Sequence, residues 1–352
     1  MKIMLRILIL APFLLLFASC ESKDKENKQK ENVLLIEEKH SKDQTSKKKE
    51  EQKENHQEER KEDQQENYQG EQQEKQQENR QGTLPSDSLP KGVSYDNYSN
   101  EKKAWWFKRN KEHQPSGADD SIDLKQYDAY YLGDTSQKVI YLTFDCGYEN
   151  GYTESMLDTL NKYNIKACFF VTKTYIRDNP ELVKRMKEEG HQVGNHTVTH
   201  KSQPTLNIEE IEKELGDCSN YMKEITGYDM DPFFRPPMGE YSERTLKVSQ
   251  DMGYTTVLWS IAYLDYDVNN QPGSNYVEEH FRTYYHNGAI PLIHNVSSAN
   301  CKALEEVILL LEKEGYRFCT LYELENATSD TTVNDTKKND EKKQQMDSSK
   351  DI

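Results

Sequence analysis

The sequence predicts an α/β fold on a parallel sheet, an irregular seven-stranded (β/α) barrel preceded by a disordered linker and followed by a disordered tail. Three observations carry this. From Val139 onward, short apolar runs alternate with amphipathic stretches, the pattern of strands joined by helices. The intervening helix-like segments require parallel strands wound in one hand. Asp145, His196, Arg235 and His294 each fall at the carboxyl end of an apolar run, where barrels and open α/β sheets gather their chemistry.

At the N-terminus, Lys2 and Arg6 precede an apolar run shorter than a membrane span, which reads as a secretory signal peptide over residues 1–20. Its end, Phe17-Ala18-Ser19-Cys20, resembles the bacterial lipobox, although Phe17 stands where Leu is usual. Cys20 is therefore the expected lipidation site and mature N-terminus. A signal peptide cut elsewhere, or kept as an anchor, is the alternative.

Residues 21–90 are dominated by Glu, Lys, Gln and Asn and cannot bury enough surface to fold. As a tether such a segment has an r.m.s. reach of roughly 45 Å. Another polar tract occupies 326–352, and the ordinary core composition lies in residues 91–325, a length that suits one domain. The chain has 46 Lys plus Arg against 62 Asp plus Glu, a net charge of −16, with no basic cluster in its core segment, which argues against nucleic-acid binding. The expected setting is export to the outer face of the cytoplasmic membrane, as a monomeric lipoprotein facing the cell wall or spore cortex.

Strands are expected over Val139–Asp145, Lys166–Thr172, Gln192–His196, Pro232–Arg235, Thr255–Ser260, Ala289–His294 and Arg317–Leu321. Asn207 and Glu210 form a capping box for a helix whose apolar face is Ile208, Ile211, Leu215 and Met222. Leu304, Val307, Ile308 and Leu311 keep helical spacing up to a cap near Gly315. Apart from Cys20, the five cysteines are odd in number and irregularly spaced, so no disulfide framework is expected.

His196 and His200 stand four residues apart, a spacing that on one helical turn aims both imidazoles at a divalent ion such as zinc. Taken alone, the spacing more often marks two unrelated surface or core histidines. Asp145, before the Cys146-Gly147 turn, is either a presented carboxylate or a turn cap.

The set as a whole resembles the polysaccharide deacetylases of carbohydrate esterase family four, the NodB-like group, over about Val139–Leu324. Thr143-Phe144-Asp145-Cys146-Gly147 stands where the family has TFDDG, and Asn195-His196-Thr197-Val198-Thr199-His200 stands for H(S/T)xxH. Arg235-Pro236-Pro237-Met238-Gly239 resembles RxPxG, Leu258-Trp259-Ser260 with Asp265 the fourth motif, and Leu292-Ile293-His294 the last. Tyr148-Glu149-Asn150-Gly151-Tyr152-Thr153 and the stretch from Arg235 to Ser242 resemble the branch acting on N-acetylmuramic acid in peptidoglycan, which includes the δ-lactam-forming enzymes of spore cortex.

The resemblance implies a metal-dependent amidohydrolase acting on peptidoglycan glycan strands. Asp145 would be general base, His294 general acid, His196 and His200 metal ligands, Arg235 the partner of Asp145 and Asp265 the partner of His294. The Met238 backbone N–H would meet the developing oxyanion. Tyr148, Glu149, Asn150, Pro237, Met238, Gly239, Tyr241 and Trp259 are the expected substrate-binding residues. Trp105-Trp106-Phe107 resembles that branch's lead-in, either a strap across the barrel base or a sugar-stacking surface.

One departure matters. The family's second Asp, a metal ligand, is Cys146 here. Its thiolate would suit zinc, or the residue is a small buried filler beside a looser, water-completed site. Glu149 is a further candidate for the missing charge. The competing functions are an N-acetylglucosamine or other glycan deacetylase, and a catalytically dead, lipid-tethered glycan-binding module.

Overall fold

The computed structural model describes residues 85–86, 88–118 and 121–324. The signal peptide, Cys20, most of the linker and the tail lie outside the described residues. Seven parallel strands form one curled sheet: β1 (Ala129–Tyr130), β2 (Thr143–Cys146), β3 (Cys168–Val171), β4 (Gln192–Asn195), β5 (Phe233–Phe234), β6 (Thr255–Val257) and β7 (Leu292–His294), in the order β7-β2-β3-β4-β5-β6-β1. An isolated parallel bridge between Ile261 and Pro291 draws the far side together, giving the expected irregular barrel in half-closed form.

The membership of the sheet differs from the expectation in one strand. Arg317–Phe318 pairs with Val139–Ile140 in a separate parallel ladder, and Ala129–Tyr130 takes the seventh place. Ala129–Tyr130 is too short to show a period of two, and the polar residues around it mask it as loop.

Helices α1 (Thr153–Lys162), α2 (Lys173–Asp178), α3 (Pro180–Glu188), α4 (Ile208–Thr226), α5 (Glu243–Asp251), α6 (Ser274–Tyr284) and α7 (Ser298–Lys313) pack around the sheet. The capping box of Asn207 and Glu210 starts α4, and Gly227 closes it at a φ of 82°. Among the described residues, no helix is long and apolar enough to cross a membrane.

Strand alternation creates two cores. Phe144, Cys146, Phe169 and Val171 face the helices, against Met156, Leu157, Met222 and Ile308, whereas Cys168, Phe170, Phe233 and Val257 fill the barrel interior. Thr143 and Asp145 therefore point inward, on the face opposite Cys146. Gly194 makes room for this interior, since a Cβ there would lie 2.7 Å from the Phe170 ring and 2.9 Å from the Phe233 carbonyl oxygen.

The upstream segment is also packed. Ser86 N–H donates to the Met252 carbonyl at 2.8 Å and Leu89 N–H to Glu212 Oε1 at 3.0 Å, so chain read as linker already rests on α4 and the end of α5. Cys146, Cys168, Cys218, Cys301 and Cys319 are free thiols.

Candidate active site

A cleft of about 920 Å³ opens at the carboxyl ends of the strands, lined among others by Asp145, His196, His200 and His294. Arg235 is the organising group of its floor. It is fully buried, with 0% exposure, following β5, and every branch of its guanidinium is engaged. Nη1 donates to Asp145 Oδ1 at 2.7 Å, Nη2 to Thr143 Oγ1 at 2.8 Å and Nε to the Val257 carbonyl at 3.0 Å, while the Phe170 ring lies 4.3 Å from the guanidinium carbon. Burial pushes the Asp145 carboxyl up, but the charge and hydrogen bond of Arg235, helped by His294, hold it below its ordinary value, so it is ionised at neutral pH.

His196 leaves the end of β4 with Nδ1 2.8 Å from the Arg235 carbonyl oxygen. A carbonyl only accepts, so Nδ1 carries the proton and the Nε2 lone pair is free, 3.5 Å from Asp145 Oδ2. Burial lowers the His196 pKa to about 4, which makes this approach a contact with a neutral ring rather than an ion pair. Burial lowers His200 as well, and the two ring centroids are 4.8 Å apart.

No helix brings these imidazoles together. The segment between them is a loop with Thr197 at φ 72° and His200 at φ 56°, a conformation that costs L residues energy and must be held by its surroundings. Asn195 Oδ1 accepts from Thr197 N–H at 2.8 Å. The Glu214 carboxylate of α4 accepts from Val198 N–H at 3.0 Å, Thr199 N–H at 2.8 Å and Thr199 Oγ1 at 2.5 Å.

Across the cleft, His294 at the end of β7 donates from Nδ1 to Asp265 Oδ1 at 2.7 Å and from its backbone N–H to Asp265 Oδ2 at 2.8 Å. Asn300 Nδ2 adds a donor to Asp265 Oδ2 at 2.7 Å, and the Asn300 Oδ1 accepts from Tyr263 Oη at 2.8 Å. Burial disfavours a charged His294, but the Asp265 charge and hydrogen bond outweigh it and raise the pKa above the ordinary value. The cleft thus sets an ionised carboxylate opposite an imidazole biased towards its protonated form.

The expected site residues divide. Tyr148, Met238, Gly239 and Trp259 line the cleft together with Asp145, His196, His200 and His294. Glu149, Asn150, Pro237 and Tyr241 do not. Glu149 caps the first turn of α1, accepting from Gly151, Tyr152 and Thr153 N–H, and is bound by Tyr175 Oη at 3.0 Å. Asn150 donates to the Val296 carbonyl at 2.9 Å, Pro237 is buried, and Tyr241 belongs to the core beside Trp105 and Leu246.

Cys146, also with 0% exposure, faces the helix layer, and burial pushes its thiol well above the usual range. It is the small buried filler, not a group turned to the cleft. Sequence reasoning passed over Tyr266, 56% exposed with its ring 5.6 Å from that of His294, and the supporting residues Glu214, Asn295 and Asn300. Tyr266 carried a signal, as the neighbour of Asp265; Glu214 looked like any polar position of an amphipathic helix.

No group of three or more His, Cys, Asp or Glu shaped for a metal occurs among the described residues. The donors present nevertheless suit a divalent ion, because two neutral imidazoles lie beside an ionised carboxylate.

A curled parallel sheet with a carboxylate and an imidazole, each fixed by a buried partner and facing one cleft, is an arrangement suited to acid–base hydrolysis. The chain belongs to the polysaccharide deacetylase family, whose profile matches residues 132–257. It is 44% identical over 227 residues to the Bacillus subtilis peptidoglycan-N-acetylmuramic acid deacetylase PdaA, covering 64% of this chain and 86% of that one. The solved structure of Bacillus subtilis PdaA, a family 4 carbohydrate esterase, matches with a TM-score of 0.63 at 43% identity, over 65% of this chain and 99% of that one. A Bacillus cereus peptidoglycan-N-acetylglucosamine deacetylase is 35% identical over 192 residues, 54% of this chain and 89% of that one.

Proposed function

We propose that the chain removes the acetyl group from N-acetylmuramic acid residues of peptidoglycan, in the service of muramic δ-lactam formation in spore cortex. The observation that carries the chemistry is the pairing of Asp145, held ionised by Arg235, with His294, held towards protonation by Asp265, across one cleft. The likeness to PdaA supports the choice of sugar.

Asp145 takes the proton of the attacking water, and His294 delivers one to the departing amine nitrogen, so each group ends the step in the other's starting protonation state. A divalent ion, zinc by the donor chemistry, would be held by His196 and His200 and would polarise the acetyl carbonyl and acidify the water. Cys146 takes no part. Met238, at φ 58°, lines the cleft, and its backbone N–H is the proposed donor to the developing oxyanion. The dead binding module finds no support in a site whose acid and base are both in place.

Anchoring through lipidated Cys20, with residues 21–90 as tether at the outer face of the cytoplasmic membrane, would keep the enzyme beside its polymer. The test is acetate release from peptidoglycan with mass analysis of the muropeptides, after chelation and after metal add-back. Acetyl loss confined to muramic acid supports the proposal. Loss confined to glucosamine favours the second glycan specificity, and no release with any divalent ion removes the enzymatic reading.

A further inference from the structure

The family profile begins at residue 132, yet an upstream arm, residues 103–116, reaches both walls of the cleft. Lys103 and Ala104 pair antiparallel with Tyr241 and Glu240, directly after the cleft-lining Pro236, Met238 and Gly239. Trp105 N–H then donates to the Gly239 carbonyl at 2.8 Å, and its indole Nε1–H donates to the Trp259 carbonyl at 2.9 Å. Two further donors of the arm continue along the same segment, Ser116 Oγ to the Ser260 carbonyl at 3.0 Å and Arg109 Nη2 to the Ala262 carbonyl at 2.6 Å.

These contacts matter because of where the two walls lead. Beyond Val257 the chain has left β6, and the carbonyls of Trp259, Ser260 and Ala262 need partners from outside the main ladder. Three residues after Ala262 stands Asp265, which holds His294. The other wall carries Met238 in its left-handed conformation, next to Gly239, where a Cβ would lie 2.6 Å from Trp259 and 3.2 Å from Trp105. Trp105, buried and with its ring 4.8 Å from that of Tyr131, bonds to both walls, through its backbone N–H to Gly239 and through its indole N–H to Trp259.

We propose that the arm is a clamp belonging to the catalytic unit, and that Trp105 is a positioning residue fixing the Pro236–Gly239 wall against the Trp259–Ala262 wall. It acts through the cleft walls and touches none of the reacting groups. At Trp105 the segment acts as a strap, bonded to the walls of the cleft.

The activity readout rests on the deacetylase reading; the structural readout does not. Trp105→Phe keeps an aromatic ring and loses the Nε1–H, while Tyr95→Phe is the control, removing a bond of the chain ahead of the arm, to Asp251 Oδ2 at 3.1 Å, away from the cleft. Hydrogen exchange of the full mature chain should rise about fivefold in 236–241 and 259–262 in Trp105→Phe, as the loss of one hydrogen bond implies, and stay unchanged there in Tyr95→Phe. On peptidoglycan, Trp105→Phe should lower kcat about 10- to 100-fold through misplaced groups, with melting temperature no lower than in the control, whose kcat stays at the wild-type value. Unchanged exchange at both walls, or an equal kcat loss in the two variants, would overturn the clamp. Faster exchange with no acetate released even by wild type would uphold the clamp and sink the deacetylase reading.

Discussion

Arg235→Met tests the electrostatic design of the cleft floor. Methionine fills similar space, but it leaves the Asp145 carboxylate buried without its guanidinium, and the Val257 carbonyl without its donor. Removing one partner of a buried pair costs about 3–5 kcal/mol. An orphaned carbonyl adds about 1 kcal/mol. Against a total stability of about 5–15 kcal/mol, the variant should be severely weakened yet measurable.

The pH dependence has a definite sign. In the wild type the folded pKa of Asp145 is depressed, so its contribution is present above the unfolded value of about 3.9 and is lost as pH falls through the folded value. Without Arg235, burial acts with less opposition and raises that carboxyl, so the deficit relative to wild type should shrink as the solution is made mildly acidic. Adding Asp145→Asn to Arg235→Met should restore part of the loss, with a coupling of about 2 kcal/mol or more. Urea unfolding of the four proteins in chelator, at neutral and acidic pH, gives these quantities. A single-variant loss under about 1 kcal/mol, or strictly additive losses, would refute the assignment of Arg235 as the group that makes a buried Asp145 charge tolerable.

Asp265→Asn should lower kcat about tenfold or more and move the alkaline limb of the pH–rate profile to lower pH, because the carboxylate that favours protonated His294 is gone. The same raised pKa means that His294 stabilises the fold fully below its unfolded pKa and less as pH rises through its folded one, so Asp265→Asn should cost less stability in alkali than near neutrality. Cys146→Ala should leave metal affinity unchanged in a titration of the apo protein and cost about 1 kcal/mol of stability as a small buried truncation; a large affinity loss would return the thiol to the ligand set. Gly239→Ala should destabilise by about 1–3 kcal/mol and depress kcat, since its φ of 64° and the nearby Trp259 ring both oppose a Cβ; wild-type turnover would show that this wall is not needed in its observed shape.

The sequence by itself determined most of the sheet and the chemistry-bearing residues. Strand ends are written in short apolar runs and helix starts in local caps, and both are settled within a few residues of chain, as at Asn207–Glu210. The motifs placed Asp145, His196, Arg235 and His294 at strand ends because a residue's place along a strand is itself local information. Only the tertiary structure decided the rest. It replaced Arg317–Phe318 by Ala129–Tyr130 in the sheet, because two-residue strands are fixed by their neighbours rather than by their own pattern. It separated Tyr148, Met238 and Trp259, which line the cleft, from Glu149, Asn150 and Tyr241, which support it, since the direction of a loop side chain depends on contacts far away in sequence. It turned Cys146 to the helix layer while Asp145 faces the barrel, a consequence of strand alternation in a sheet with different cores on its two sides. It also joined Trp105 to Gly239 and Trp259 across more than a hundred residues, through backbone carbonyls that every residue possesses and that no sequence motif can announce.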